Sequence, residues 1–233
     1  AFDSDFDARE RPERPIPTGL VSATTVFTSG YAMLAAGLAI LIWLGYGSAD
    51  GTGWPAPVTG IALAAAIIIY DWRHKNVPIS PVIMGICRML TYILAGFAVT
   101  SAAPPSLFAA GAVLLCYLIG LTYAASQETL GRVRNLWPMA FLAVPFFYGV
   151  PGVSSSAGTV IFYALFLAWT GYALLFLLRP GKVNVPRAVV SLIAGISLLD
   201  AMLISGHGET GLALAAAAGF VLTLALQRFI PGT

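Results

Sequence analysis

VSATTVFTSGYAMLAAGLAILIWLGY, residues 21–46, carries no charged side chain from end to end. A helix needs about 20 such residues to cross the hydrocarbon core of a bilayer, and this run exceeds that. Similar runs recur along the chain, near Val21 to Tyr46, Pro55 to Tyr70, Pro81 to Val99, Ser106 to Ala125, Leu136 to Val150, Thr159 to Leu178, Ala188 to Ser205 and Gly211 to Leu226. Turn chemistry separates them. Pro104-Pro105, Pro151-Gly152 and Pro180-Gly181 remove backbone donors and permit tight reversal. The segments are continuously apolar rather than alternating, which disfavours a β-barrel. The expected fold is therefore all-α, a polytopic bundle of about eight transmembrane helices.

Composition agrees. Of the 233 residues 58% are hydrophobic and only 9% charged, a balance that needs lipid as solvent. The formal net charge of +2 includes no basic tract, so a nucleic-acid partner is excluded. Cys87 and Cys116 both lie inside apolar segments without metal-ligand spacing and read as small buried hydrophobes. Small residues such as Ala35, Gly37, Gly60 and Ala64 let helix backbones approach closely in lipid.

Basic residues fall in the leading segment (Arg9, Arg11, Arg14) and then in every second connection: Arg73 with Lys75, Arg132 with Arg134, Arg179 with Lys182 and Arg187, and Arg228 at the end. The intervening loops carry none. Lysine and arginine stay on the cytoplasmic side, so this alternation predicts both ends and all three basic connections there. A bacterial plasma-membrane protein is the expected setting. Arg88 alone breaks the scheme, inside the third span, where a charge pairs with a carboxylate or lines a polar cavity.

Residues 1–20 form a polar motif segment ahead of a transmembrane domain at 21–233, and with neither methionine nor an apolar leader core they read as a truncated or processed start. Within the segment Asp3 and Asp7 stand four apart, which on a helix is one face, with Asp5 turned away. Magnesium takes one or two carboxylates plus substrate phosphates, so such a pair beside arginines suits a metal-diphosphate site. A solvated acidic leader is the other reading of the same residues. Asp200 reads equally as a polar helix contact or a cavity residue, and His207 and Glu209 as solvated loop residues.

Asp3-x-x-x-Asp7 followed by Arg14-Pro-Ile-Pro-Thr-Gly19 resembles the first signature of the UbiA superfamily of intramembrane prenyltransferases, N-D-x-x-D-x-x-x-D and then R-P-x-P-S-G. The asparagine and first aspartate would fall before residue 1, implying that two helices precede this chain. Tyr70-Asp-Trp-Arg-His-Lys75 resembles the Y-x-x-x-K/R loop, with the lysine displaced by one position. Pro81-Val-Ile-Met-Gly-Ile-Cys-Arg88 resembles a run of the EboC-like branch. In place of the second aspartate-rich motif stands Tyr123-Ala-Ala-Ser-Gln-Glu128, with one acid, which implies one metal rather than two. Two helices in front would also make ten, one above the family's nine.

The resemblance implies transfer of a prenyl group from an allylic diphosphate to a lipophilic acceptor within the membrane. Asp3 and Asp7 would hold Mg²⁺ and, with Lys75, act in catalysis; Arg14, Arg73, Lys75 and Arg88 would contact diphosphate. Tyr70, Tyr92, Tyr123 and Glu128 would line the substrate cavity. The tyrosines also read as interfacial belt or core. A non-catalytic isoprenoid-binding or transport protein with a degenerate second motif is the alternative. An unrelated transporter with helices broken at mid-membrane would draw only on Pro138 and Pro145 within one span.

Overall fold

The computed structural model describes residues 2–47, 50–73, 79–126, 137–153, 157–179, 183–227 and 229. Its regular elements are helical throughout those residues: α1 Ser4–Glu10, α2 Ala23–Tyr46, α3 Pro55–Arg73, α4 Ser80–Val99, α5 Pro105–Ser126, a 3₁₀ segment Trp137–Ala143, α6 Val144–Val153, α7 Ala157–Leu178, α8 Val185–Ser205 and α9 Thr210–Leu226. The all-α polytopic fold expected from the apolar runs is what forms. Six helices, α2, α3, α4, α5, α7 and α8, are long and apolar enough to cross a membrane. The 17 residues of α9 span about 25 Å at 1.5 Å per residue, slightly under the hydrocarbon thickness.

The expected span Leu136 to Val150 takes a different form. It divides into the 3₁₀ segment and the ten-residue α6, the latter about 15 Å long and too short to cross alone. Two prolines explain the division. Pro138 sits inside the 3₁₀ segment, and Pro145 disfavours helical geometry at Val144 while its ring tolerates only the first turn of α6.

Helix starts follow local chemistry. The Ser22 hydroxyl accepts from the Thr25 amide at 3.0 Å and caps α2; Asn184 Oδ1 accepts from the Arg187 amide at 3.1 Å and caps α8. Pro81 and Pro186 stand in the first turns of α4 and α8, where a missing N–H costs nothing.

Two compact units divide the chain after Gly111. In the first, α3 packs on α2 and α4. Gly60 makes room for the Leu38 and Leu41 side chains of α2, so a side chain there would collide with Leu41. In the second, α8 lies between α7 and α9 and is the most buried helix. Lipid offers no hydrophobic drive between helices, so packing and interhelical hydrogen bonds hold such a core. The fully buried Tyr117 of α5 donates its hydroxyl to the Leu192 carbonyl at 2.8 Å, and the Trp169 indole of α7 donates to the Ser191 carbonyl at 2.7 Å. Gln227, just past α9, donates to the Val190 carbonyl at 3.2 Å. Gly195 keeps α8 open for Tyr117, whose hydroxyl would lie 2.6 Å from a Cβ at that position.

Candidate functional site

The first unit gathers Asp3, Asp5, Asp7 and Asp71 at one end of its helices, with Asp50 in the α2–α3 connection at the other. Helix α1 is under two turns long, with the Asp7 amide donating to the Asp3 carbonyl at 2.8 Å, so Asp3 and Asp7 share a face while Asp5 is exposed. The chain then reverses. Thr18 donates from both its amide and its hydroxyl to the Arg14 carbonyl at 3.0 Å, and Gly19 supplies the positive φ of 76° that closes the turn. The Arg-Pro-Ile-Pro-Thr-Gly sequence is thus a compact turn, and the Arg14 amide, donating to the Arg11 carbonyl at 3.1 Å, closes the preceding turn that brings Arg14 back onto α1.

There Arg14 meets Asp7. Its Nη1 donates to both carboxylate oxygens, at 3.2 Å to Oδ1 and 3.0 Å to Oδ2. Asp7 is buried, and the ion pair offsets the cost of taking its charge out of water. Arg14 is over a third exposed, so solvent screening leaves a net contribution of about 1 kcal/mol. A single nitrogen makes both bonds, which leaves the guanidinium's remaining donors for a further anion.

Tyr70 joins this end from the last turn of α3. Its hydroxyl faces Ser80, at the start of α4, and lies within Coulombic reach of Asp71 and Asp3. The leading segment is fastened to α2 by aromatic contacts: Phe2 meets Phe27 edge-on at 4.8 Å, and Phe27 stacks on Tyr31 at 6.2 Å. Beside these rings a groove of about 470 Å³ runs between α2 and α3, walled by Leu34, Ile67 and Ile68 among other apolar groups, with Asp71 the one charged residue lining it among the described residues.

Of the residues expected at the site, Asp3, Asp7, Arg14 and Tyr70 are brought to this end of the first unit. Arg88 is exposed on α4, eight residues from its start and about 12 Å along it, with the part-buried Tyr92 one turn further on. Tyr123 is part-buried in the second unit, near the end of α5. Lys75 and Glu128 lie outside the described residues, as do Arg132, Arg134, Lys182 and Arg228 of the basic connections, and the Arg73 side chain is likewise not described. Asp71 escaped the sequence reading. Only its neighbour Tyr70 belongs to a recognisable pattern, and one residue's rotation on α3 turns the carboxylate into the groove.

Among the described residues no three His, Cys, Asp or Glu side chains converge on one point. That donor set does not form an all-protein metal cage. It does fit an ion such as Mg²⁺ that is held by one or two carboxylates and completed by substrate phosphates.

The chain's residues 1–199, from the acidic segment through most of α8, match the family model described as the UbiA prenyltransferase family. No curated protein and no solved structure matches the chain.

Proposed function

Because the chain belongs to the UbiA prenyltransferase family, we propose that it transfers a prenyl group from an allylic prenyl diphosphate to a lipophilic acceptor inside the membrane, with the acidic end of the first unit holding the diphosphate. The Pro81-to-Arg88 run supports a place in the EboC-like branch. The alternation of basic loops supports a bacterial plasma-membrane protein with those loops cytoplasmic. In the reaction the allylic carbon–oxygen bond breaks, its electrons leave with the diphosphate, and the acceptor forms the new bond and gives up a proton.

Bound Mg²⁺ would supply charge neutralisation for the departing diphosphate, with Asp3 and Asp7 as its protein ligands. Arg14 then has two tasks. It fixes the Asp7 carboxylate, and it offers its other donors to phosphate oxygens, a geometry that guanidinium suits. Arg73, Lys75 and Arg88 are the further cations assigned to diphosphate, and Tyr92, Tyr123 and Glu128 are assigned to the cavity walls. The Tyr70 ring offers a π face to developing allylic cation charge, and the apolar groove between α2 and α3 takes the isoprenoid tail away from water. Preorganised charge of this kind acts at the moment of bond cleavage without reorganisation cost.

The observation that carries the reading is the convergence of Asp3, Tyr70, Asp7 and Arg14 on one end of the first unit. Incubating the purified protein in nanodiscs with a labelled prenyl diphosphate, Mg²⁺ and a lipid extract as acceptor source tests it. Prenylated product together with released diphosphate supports transfer. Mg²⁺-independent binding with no release favours the lipid-binding alternative.

A further inference from the structure

A second cavity lies in the other unit, remote in chain position from the acidic segment. It measures about 490 Å³ and opens at the ends of α7 and α8 away from the basic 179–187 connection. Phe147, Tyr148, Gly152, Thr159, Met202 and His207 are among its walls.

The carboxyl end of α6 and the amino end of α7, poles of opposite sign, both line the cavity and offset one another, so α8 and the nearby side chains set its sign. The carboxyl-terminal end of α8, the negative pole of that helix, forms one wall. Glu209 follows two residues after His207 and is exposed, and its side chain makes no hydrogen bond to the start of α9. Residues 144–153, 157–165 and 198–212, at this end of α6, α7, α8 and α9, contain no lysine or arginine. Aromatic faces from Phe147 and Tyr148 add attraction for a cation.

His207 provides direction. Its Nδ1 lies 2.9 Å from the Leu203 carbonyl, which can only accept, so Nδ1 carries the hydrogen. In the neutral ring Nε2 is then a bare lone pair, an acceptor at the cavity wall. The side chain thereby caps a carbonyl that the end of α8 leaves over, and the same bond fixes the ring's tautomer. An acceptor in a negative, aromatic-walled cavity calls for a cation that also has an N–H to donate.

We propose that this cavity binds the primary ammonium head group of a membrane lipid, with an ammonium N–H donated to His207 Nε2 and the acyl chains lying along the exposed Phe147 and Val150. Phe147 is 77% exposed, which leaves an apolar path from the cavity mouth. A trimethylammonium head has the same charge and no N–H, so it loses the directed bond. The proposal is independent of prenyl transfer.

The test equilibrates the purified protein with equimolar dioleoyl phosphatidylethanolamine and dioleoyl phosphatidylcholine and counts retained lipid by native mass spectrometry. A charge-assisted hydrogen bond predicts about a tenfold preference for the ethanolamine lipid. His207→Phe keeps a ring without the acceptor and should equalise the two lipids. Gly152→Leu grows a side chain from a position whose Cβ would already sit 3.4 Å from Thr159 Cγ2, so it should fill the cavity and lower ethanolamine-lipid retention to the choline-lipid level. Equal retention by the unmodified protein overturns the proposal, whatever the variants do. So does a preference that survives both substitutions, or displacement of the lipid by free ethanolamine at equal concentration, which would make the ligand a soluble amine.

Discussion

Helices α2 and α8 are both apolar and of similar length, yet none of the most apolar window of α2 is buried, against 61% of that of α8. Helix α8 is fastened by hydrogen bonds from Tyr117, Trp169 and Gln227, and Thr159 donates to the Ser205 carbonyl at its end. Helix α2 stands next to the acidic segment and forms one wall of an open groove. Hydropathy cannot separate these helices. What separates them is polar side chains that reach a neighbour's backbone, and the proposed diphosphate chemistry draws on the less buried first unit.

The largest effect should come from breaking the first unit's side of that contrast. Asp3→Ala or Asp7→Ala should lower turnover on the order of 10²-fold by removing a ligand from the diphosphate site. The melting temperature in detergent should move little. A variant that loses activity only by unfolding would erase the distinction between the units.

The second unit should behave in the opposite way. Gly195→Ala puts a methyl 2.6 Å from the Tyr117 hydroxyl and should cost about 2 kcal/mol of stability, seen as earlier thermal unfolding, while diphosphate binding by the folded fraction is unchanged. Tyr117→Phe sharpens the point. It keeps the ring and deletes one buried hydrogen bond to Leu192, for a loss of about 1 kcal/mol. Unaltered unfolding for both variants would show that α8 is held by something other than these contacts.

The apolar helices were legible because lipid demands long uncharged runs. Val21 to Tyr46 became Ala23–Tyr46, Pro81 to Val99 became Ser80–Val99, and Thr159 to Leu178 became Ala157–Leu178. The divided fifth run was not, because hydropathy averages over Pro138 and Pro145 and is blind to the hydrogen bonds they cannot make. At the site, helical spacing alone put Asp3 and Asp7 on one face. The Arg14 contact with Asp7 depends on how the intervening turn folds back, and no periodicity encodes that. Asp71 facing the groove is a fact of how α2 and α3 pack.

The smallest effect belongs to the control. Glu209→Ala lies in the connection between α8 and α9, outside the first unit, and should leave Mg²⁺-dependent diphosphate binding within about twofold of the unmodified protein, a change of some 0.4 kcal/mol. A larger change would mean that the two regions are not separable in function.

The central claim is that Asp3 and Asp7 hold a metal together with the substrate's diphosphate. Calorimetric titration of a prenyl diphosphate into the protein, with and without Mg²⁺, measures this directly, because a shared ion makes each ligand strengthen the other. The account predicts markedly tighter binding with Mg²⁺, and loss of most of that coupling in Asp3→Ala and Asp7→Ala. Binding that is indifferent to Mg²⁺, or coupling that survives both substitutions, would contradict it.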